Sequence, residues 1–316
     1  MHTVGVLVHP GFQPLGLTVG SVFEYANVLR GEPFYRFHLF SEHGGTVPSS
    51  QGFVVDSLRL GALRCDTLFV AGDILCGEVA VHPAERVDCL REAAGQARRV
   101  AAISSGVFLL AQTGLLDGMR AAVHWCQAGT FRQRFAEVQV EADHLFATDG
   151  RFWTGAGMSA GLDLALAMVE ADLGAELARE VARKLVVTER RRGAQPQVSA
   201  LLEMDTRSDR IQAVLGYVRE HLKDALTIDT LAGVARLSVR QFSRSFREAT
   251  GQSPAKAIER LRVEAARVLI ESGRHPVEIV ARETGFGNRE RMRQAFLREA
   301  GLPPQAIQRG MAMARA

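Results

Sequence analysis

Residues 98–114 read RRVAAISSGVFLLAQTG, and the reading of this stretch decides the fold. A short apolar run, Val100–Ile103, stops at Ser104–Ser105–Gly106, and an apolar helical pattern starts straight after it, through about Thr113. The same alternation recurs on its N-terminal side. Val4–Val8 reads as a buried strand ending at His9–Pro10–Gly11, Phe37–Phe40 as a second, and Thr67–Ala71 as a third ending at Gly72–Asp73. Between the first two, Val19–Leu29 has helical spacing, with Val22, Phe23 and Ala26 on one face. Strands alternating with helices predict an α/β fold, a doubly wound, mostly parallel sheet with helices on both faces. Ligands of such sheets lie beyond the carboxyl ends of the strands. Gly72, Asp73, Ser104 and Ser105 are therefore expected to face one crevice.

The tip residues admit two readings. The first amides of a helix are unpaired and carry the positive end of its dipole, which suits an anion or a carboxylate. Alternatively, Ser104 or Ser105 is simply an N-cap, contributing about 1 kcal/mol. The esterase elbow pattern GxSxG is not matched, because Ile103 and Ser104 stand in the wrong places.

Composition narrows the class. The 316 residues suit two domains, and 47% are hydrophobic, enough for a core in each. No apolar run is long enough to span a bilayer, and the start, MHTVGVLVHPGF, reads as a strand rather than a signal peptide. Four cysteines, Cys65, Cys76, Cys89 and Cys126, lie scattered without metal-like spacing. Reduced thiols in the cytoplasm, with no metal and no cofactor, are the expectation. The net charge of +3 is unevenly spread: residues 207–316 hold 20 Lys and Arg against 12 Asp and Glu, leaving 18 against 23 before them. A basic C-terminal part on an acidic body points toward nucleic acid.

RVAAISSGVFLLAQTGLLDGMRAAVHW, with DTLFVAGD before it and WTGAGMSAGLDLALAMVE after it, resembles the PfpI-type branch of the class I glutamine-amidotransferase-like superfamily. More narrowly, the chain is similar to the GlxA-type regulators, over about residues 3–190. The resemblance implies a flavodoxin-like sheet. It also implies that the tip position is a cysteine in enzymatic relatives, assisted by a histidine and by an acidic residue of the first helix. Here Ser104 stands at the cysteine position and His124 at the histidine, while the acidic position is assigned to Ser21. A serine nucleophile needs a hydrogen-bonded base that is itself oriented by a third group, and no carboxylate partner for His124 is evident. The expectation is a binding pocket rather than a catalyst, formed by Ser104, Ser105, Gly72, Asp73, His124 and Ser21. His124 beside Trp125 also fits a satisfied core histidine, and Trp153–Gly155 and Asp163 fit packing and capping. If relatives' ligands are a guide, the effector is an amino acid or a small amine, a quaternary ammonium included.

Residues 188–210 interrupt the pattern with a basic run, Gly193 and Pro196, and read as a linker; Arg190–Arg192 read as a solvated charge run or a phosphate contact. The expected organisation is a sensing and dimerisation domain over 1–190, a linker over 191–207 and a DNA-binding domain over 208–316. Beyond the linker the chain repeats itself. FSRSFREATGQSP (242–254) and MRQAFLREAGLPP (292–304) align at an offset of 50, and Leu231–Ala232 matches Val280–Ala281 at 49. Two helix-turn-helix copies follow, with Gly251 and Gly301 ending each second helix. Between them Pro254–Glu271 reads as one long helix, with Ile258, Leu261, Ala265, Val268 and Leu269 on its apolar side. Phe242 and Phe246 inward would turn Arg240, Arg244 and Arg247 out, with Ser243 beside them. Met292 and Phe296 inward would turn out Glu290 and Gln294, with Arg293 on the flank and Arg289 at the start. A charged, solvated helix face is the alternative for any one of them.

LAGVARLSVRQFSRSFREATGQSP and IVARETGFGNRERMRQAFLREAGLPP resemble the AraC/XylS DNA-binding domain, over about residues 208–310. By position, Arg240, Ser243 and Arg244 match base-facing sites of one recognition helix, and Arg289, Glu290, Arg293 and Gln294 those of the other. Gln294 stands where that family often has arginine. Together these readings imply an effector-controlled transcription regulator, an activator contacting RNA polymerase, that works as a homodimer on promoter DNA. The competing expectations are an amidase- or peptidase-like hydrolase fused to a DNA-binding tail, and a ligand-independent DNA-binding dimer.

Overall fold

The computed structural model describes residues 1–74, 81–204, 206–273 and 275–306. Cys76 and the end of the C-terminal domain beyond 306 lie outside the described residues. The chain divides into two units, 1–197 and 198–316.

In the first unit the elements run β1 (His2–Leu7), α1 (Val19–Arg30), β2 (Tyr35–Ser41), β3 (Gly45–Pro48), β4 (Val54–Arg59), β5 (Thr67–Val70), α2 (Ala84–Gln96), β6 (Arg99–Ile103) and α3 (Gly106–Gln112). They continue with β7 (Arg120–Ala122), α4 (Ala128–Arg134), β8 (Gln139–Glu141), β9 (Phe146–Asp149), β10 (Phe152–Gly155), α5 (Met158–Leu173) and α6 (Ala175–Lys184). The sheet order is β3-β4-β2-β1-β5-β6-β10-β9, with β7 and β8 pairing separately. From β4 through β10 the neighbours are parallel, and only the two edge pairs, β3–β4 and β9–β10, are antiparallel. The doubly wound, mostly parallel sheet is the fold that the strand–helix alternation predicts.

The apolar strands are buried on both faces because each face carries helices. Val4, Val6, Phe69, Ala101 and Ile103 join one core with Val19, Val22, Phe23 and Ala26 of α1 and with α5 and α6. Leu7, Leu68, Val70, Val100 and Ala102 join the other, with Leu90 of α2 and Val107–Ala111 of α3. Alternate residues of each strand thus feed opposite layers.

The second unit is all helical among its described residues: α7 (Ala200–Glu203), α8 (Asp209–Glu220), α9 (Ile228–Ala235), α10 (Val239–Thr250), α11 (Pro254–Ser272), α12 (Val277–Glu283) and α13 (Arg289–Ala300). Helices α9–α10 and α12–α13 are the two helix-turn-helix copies. Gly251 and Gly301 close α10 and α13 at φ of +72° and +66°. The long helix α11 serves two cores rather than one. Ala257, Ile258 and Leu261 pack with α8, α9 and α10, whereas Val263, Ala266 and Ile270 pack with α12 and α13. The single stripe through Ala265, Val268 and Leu269 expected from the sequence is therefore replaced by two stripes on different faces, and those three residues are only half-buried.

The stretch expected as a linker is shared between the units. Up to Gln197 it is clasped onto the first: Arg191 pairs with the buried Asp163 at 2.6 Å, and Arg190 with Glu170 at 2.6 Å. The Gln197 amide donates to Val123, Ala142 and His144 carbonyls and accepts the Trp125 N–H at 2.9 Å. Beyond it, α7 packs Ala200 and Met204 into the second unit's core. Arg190 and Arg191 are anchors, neither a free charge run nor open to phosphate. Among the described residues no helix is long and apolar enough to cross a membrane.

Candidate functional site

The strand β6 ends at Ile103 and the chain turns into α3 through Ser104, whose φ is +56°. A non-glycine residue in this region costs on the order of 1–2 kcal/mol and points to a constraint beyond packing. Two hydrogen bonds hold it there: the Ser104 N–H donates to Gly155 at the end of β10 (2.8 Å), and the Ser104 carbonyl accepts from Val107 (3.2 Å). The turn is tight because the residue behind it is glycine; a Cβ on Gly106 would lie 2.5 Å from the Val70 carbonyl oxygen.

The N-cap reading does not hold, since no side chain caps α3. The Ser105 hydroxyl instead accepts the Asp73 N–H at 2.6 Å. Gly72 comes so close that a Cβ there would meet Ser105 Oγ and the Ile103 carbonyl, each at 2.8 Å. The fold thus brings Gly72, Asp73, Ser104 and Ser105 together at the carboxyl ends of β5 and β6, the arrangement expected from the sequence.

Around Asp73 the fold also gathers residues that the sequence does not advertise. His9, just past β1, sets Nε2 3.2 Å from Asp73 Oδ1. That oxygen is buried, and no hydrogen bond satisfies it. The His82 ring lies 5.4 Å from that of His9, and its Nδ1 is 3.3 Å from Arg86 Nη1. Arg86 in turn pairs with Glu42. Burial lowers the affinity of both imidazoles for a proton: His9 titrates below its ordinary value, and His82 is brought down to about 4, with His9 and Arg86 adding to the effect. Burial also raises the Asp73 carboxyl, against the pull of His9 and Arg86. Their one sequence signal is placement, since His9 stands two residues past β1 and Glu42 comes next after β2.

His124 and Ser21 behave differently. His124 caps the short turn Trp125–Gln127, and its Nδ1 lies 3.0 Å from Cys126 Sγ and 3.4 Å from the Cys126 N. No hydrogen bond joins His124 to Ser104 among the described residues. Nor is the pair a core element, since Trp125 is 59% exposed. Ser21 is half-buried in α1 with no hydrogen-bonded partner among the described residues. Ahead of α1, Gly16 packs against the ends of β5 and β6, where a Cβ would lie 3.3 Å from Ile103 Cδ1 and 4.0 Å from Ala71 Cβ. Asp163 is buried and bonded to Arg191, an ion-pair role that packing and capping alone do not describe.

In the second unit, Phe242, Phe246, Met292 and Phe296 are wholly buried, and Leu231–Ala232 and Val280–Ala281 line the two cores as matched pairs. Arg240, Arg244, Arg247, Arg289, Glu290 and Gln294 are exposed, with Ser243 and Arg293 half-buried on the same faces. The α10 start is fixed by a capping box between Ser238 and Gln241 and the α13 start by Asn288, which accepts the Arg291 N–H at 2.9 Å. The turn of the first copy passes through Arg236 at φ +53°, where the second copy has Gly285 at +77°.

Comparison with known proteins agrees with this division. Residues 34–171 match the DJ-1/PfpI family and residues 231–310 a helix-turn-helix domain. The HTH-type transcriptional regulator GlxA of Rhizobium meliloti is 30% identical, over 90% of this chain and 88% of its own. Isonitrile hydratase of Pseudomonas putida is 31% identical over 169 residues, 52% of this chain and 68% of its own. Among solved structures, an AraC family transcriptional regulator from Pseudomonas putida superposes with a TM-score of 0.52 at 23% identity, over 58% of this chain and all of that one. The chain belongs to the HTH-type transcriptional regulators that join a DJ-1/PfpI domain to an AraC-type helix-turn-helix DNA-binding domain.

Proposed function

We propose that the first unit senses a small metabolite in the elbow crevice and that its occupancy sets how the second unit engages promoter DNA. The observation that carries this reading is the buried, unsatisfied Oδ1 of Asp73 beside an elbow held in a costly backbone conformation. A buried acceptor without a donor is a standing penalty that a ligand can relieve. With His9 and His82 disfavoured as cations, an ammonium group is the fitting donor, which makes the effector an amino acid or an amine. Gly72, Ser104 and Ser105 complete the lining; Ser21 and His124 are left to a lesser, outer role.

Turnover is the second reading, favoured by the preserved elbow and by the likeness to isonitrile hydratase. Against it, no imidazole is hydrogen-bonded to the Ser104 hydroxyl among the described residues, and the group beside Nδ1 of His124 is the Cys126 thiol rather than an orienting carboxylate. We read Arg240, Ser243, Arg244 and Arg247 on α10, and Arg289, Glu290, Arg293 and Gln294 on α13, as the DNA-facing residues. Activation through RNA polymerase, action as a homodimer and residence in the cytoplasm complete the proposal.

The test is a thermal-shift screen of the full chain against amino acids, quaternary amines and short carboxylates, with the compounds recovered and analysed. A ligand at about 100 times its Kd stabilises by roughly 2.7 kcal/mol. A saturable shift with the compound intact, reduced in Asp73→Asn, supports sensing. A consumed compound favours the enzyme, and no shift with any compound favours the ligand-independent dimer.

A further inference from the structure

At the offset of 50, Glu290, Arg293 and Gln294 of α13 correspond to Arg240, Ser243 and Arg244 of α10. The two helices use these positions differently. On α10 the Ser243 hydroxyl turns back to the Val239 carbonyl at 2.8 Å, and Arg244 Nε lies 3.7 Å from Glu248 Oε1, an ion pair beyond hydrogen-bond distance. On α13 the Glu290 carboxylate gathers the other two: Oε2 accepts from Arg293 Nε at 2.8 Å, while Oε1 accepts from Arg293 Nη2 at 2.7 Å and Gln294 Nε2 at 2.9 Å.

Helix stability does not account for this arrangement, because a solvated i,i+3 ion pair contributes little. Nor does affinity for phosphate, which a carboxylate opposes. Geometry does account for it. A guanidinium has two forked edges, and Glu290 occupies the Nε–Nη2 edge of Arg293. The Nη1–Nη2 edge remains, and it matches N7 and O6 of guanine. Held by two bonds, the Arg293 side chain loses less rotational freedom when it meets a base. We infer that Glu290 is a positioning residue that holds Arg293 with its terminal edge free to read a guanine, so that the second helix-turn-helix reads a G·C pair through a preassembled group. The first, whose Arg244 has only a looser ion pair with Glu248 at 3.7 Å and no carboxylate fork, grips more by charge. This rests on reading α10 and α13 as the DNA-facing helices.

The experiment selects duplexes from a random library with the full chain. It then measures affinity for every single-base-pair variant of the selected site at fixed salt, using wild type, E290Q, R293A, E290Q/R293A and R244A. The expected result is that E290Q and R293A lose discrimination at the same G·C pair, E290Q by about tenfold. E290Q should bind unrelated duplex as well as wild type or better, and the double variant should discriminate no worse than R293A. An unchanged Tm shows that these exposed positions leave the fold intact. Discrimination kept in E290Q, or lost at a different pair from R293A, overturns the positioning role. If R244A relaxes a base pair and E290Q none, that role alone fails; if neither R244A nor R293A alters any base preference, the reading of the two helices fails with it.

Discussion

The Ser104 N–H donates to the carbonyl of Gly155 across 2.8 Å, pinning the elbow to the end of β10. That bond, with the return bond from Val107, sustains φ +56° at a residue with a Cβ. Ser104→Gly should therefore stabilise the first unit by about 1 kcal/mol. Ser104→Ala, which keeps the Cβ, should give no such gain. Urea denaturation of the two variants distinguishes them, and equal midpoints would remove the strain argument.

Arg236 and Gly285 repeat the same contrast in the second unit. Arg236→Gly should stabilise by about 1 kcal/mol, since it removes a left-handed residue with a Cβ. Gly285→Ala should cost several times as much, because its Cβ would fall 2.0 Å from the Leu222 carbonyl oxygen and 2.7 Å from the Arg262 guanidinium. Arg262 cannot easily yield, as its Nε and Nη2 bind the carbonyls of Leu222 and Asp224. Thermal melts read both changes.

Arg191 covers the carboxylate of Asp163, which is 4% exposed, through bonds of 3.0 and 2.6 Å from its side chain. Arg191→Ala leaves a buried charge unpaired and should cost about 2–3 kcal/mol, below the full buried-pair loss because Arg191 itself is partly solvated. Asp163→Asn in the same background should restore part of that loss. A double-mutant cycle by denaturant titration measures the coupling.

His82 makes the first unit acid-sensitive. Its folded value of about 4 lies below the ordinary 6.5, so the unfolded chain binds the proton more tightly. Stability is then full above about pH 6.5 and falls as the pH drops toward 4, by on the order of 2–3 kcal/mol. His9, also lowered, acts in the same sense, while Asp73, raised by burial, offsets part of the loss. His82→Gln should flatten the dependence of Tm on pH between 6.5 and 4; an unchanged slope would contradict the assignment.

Much of this was legible in the sequence because it is periodic or local. The β6–α3 turn, the strands around Val4 and Thr67, and the 49- and 50-residue repeats are all carried by residues adjacent in the chain or regularly spaced. What stayed hidden depends on distant contacts. Nothing local marks His82 as the neighbour of His9, 73 residues away, or Gln197 as the clasp on the Trp125 loop. The Arg190–Arg192 run looks solvated until Asp163 and Glu170 face it. The apolar face of α11 is not legible as a single stripe because two cores, rather than one, claim its sides.

The most direct measurement of the central claim is the affinity of the full chain for its selected duplex, with and without the compound that raises its Tm. The account predicts a change of at least about fivefold in Kd for wild type, lost in Asp73→Asn while that variant still binds the duplex. An identical Kd with the compound bound would contradict it, because a ligand that does not distinguish the two states of the chain cannot control its hold on DNA.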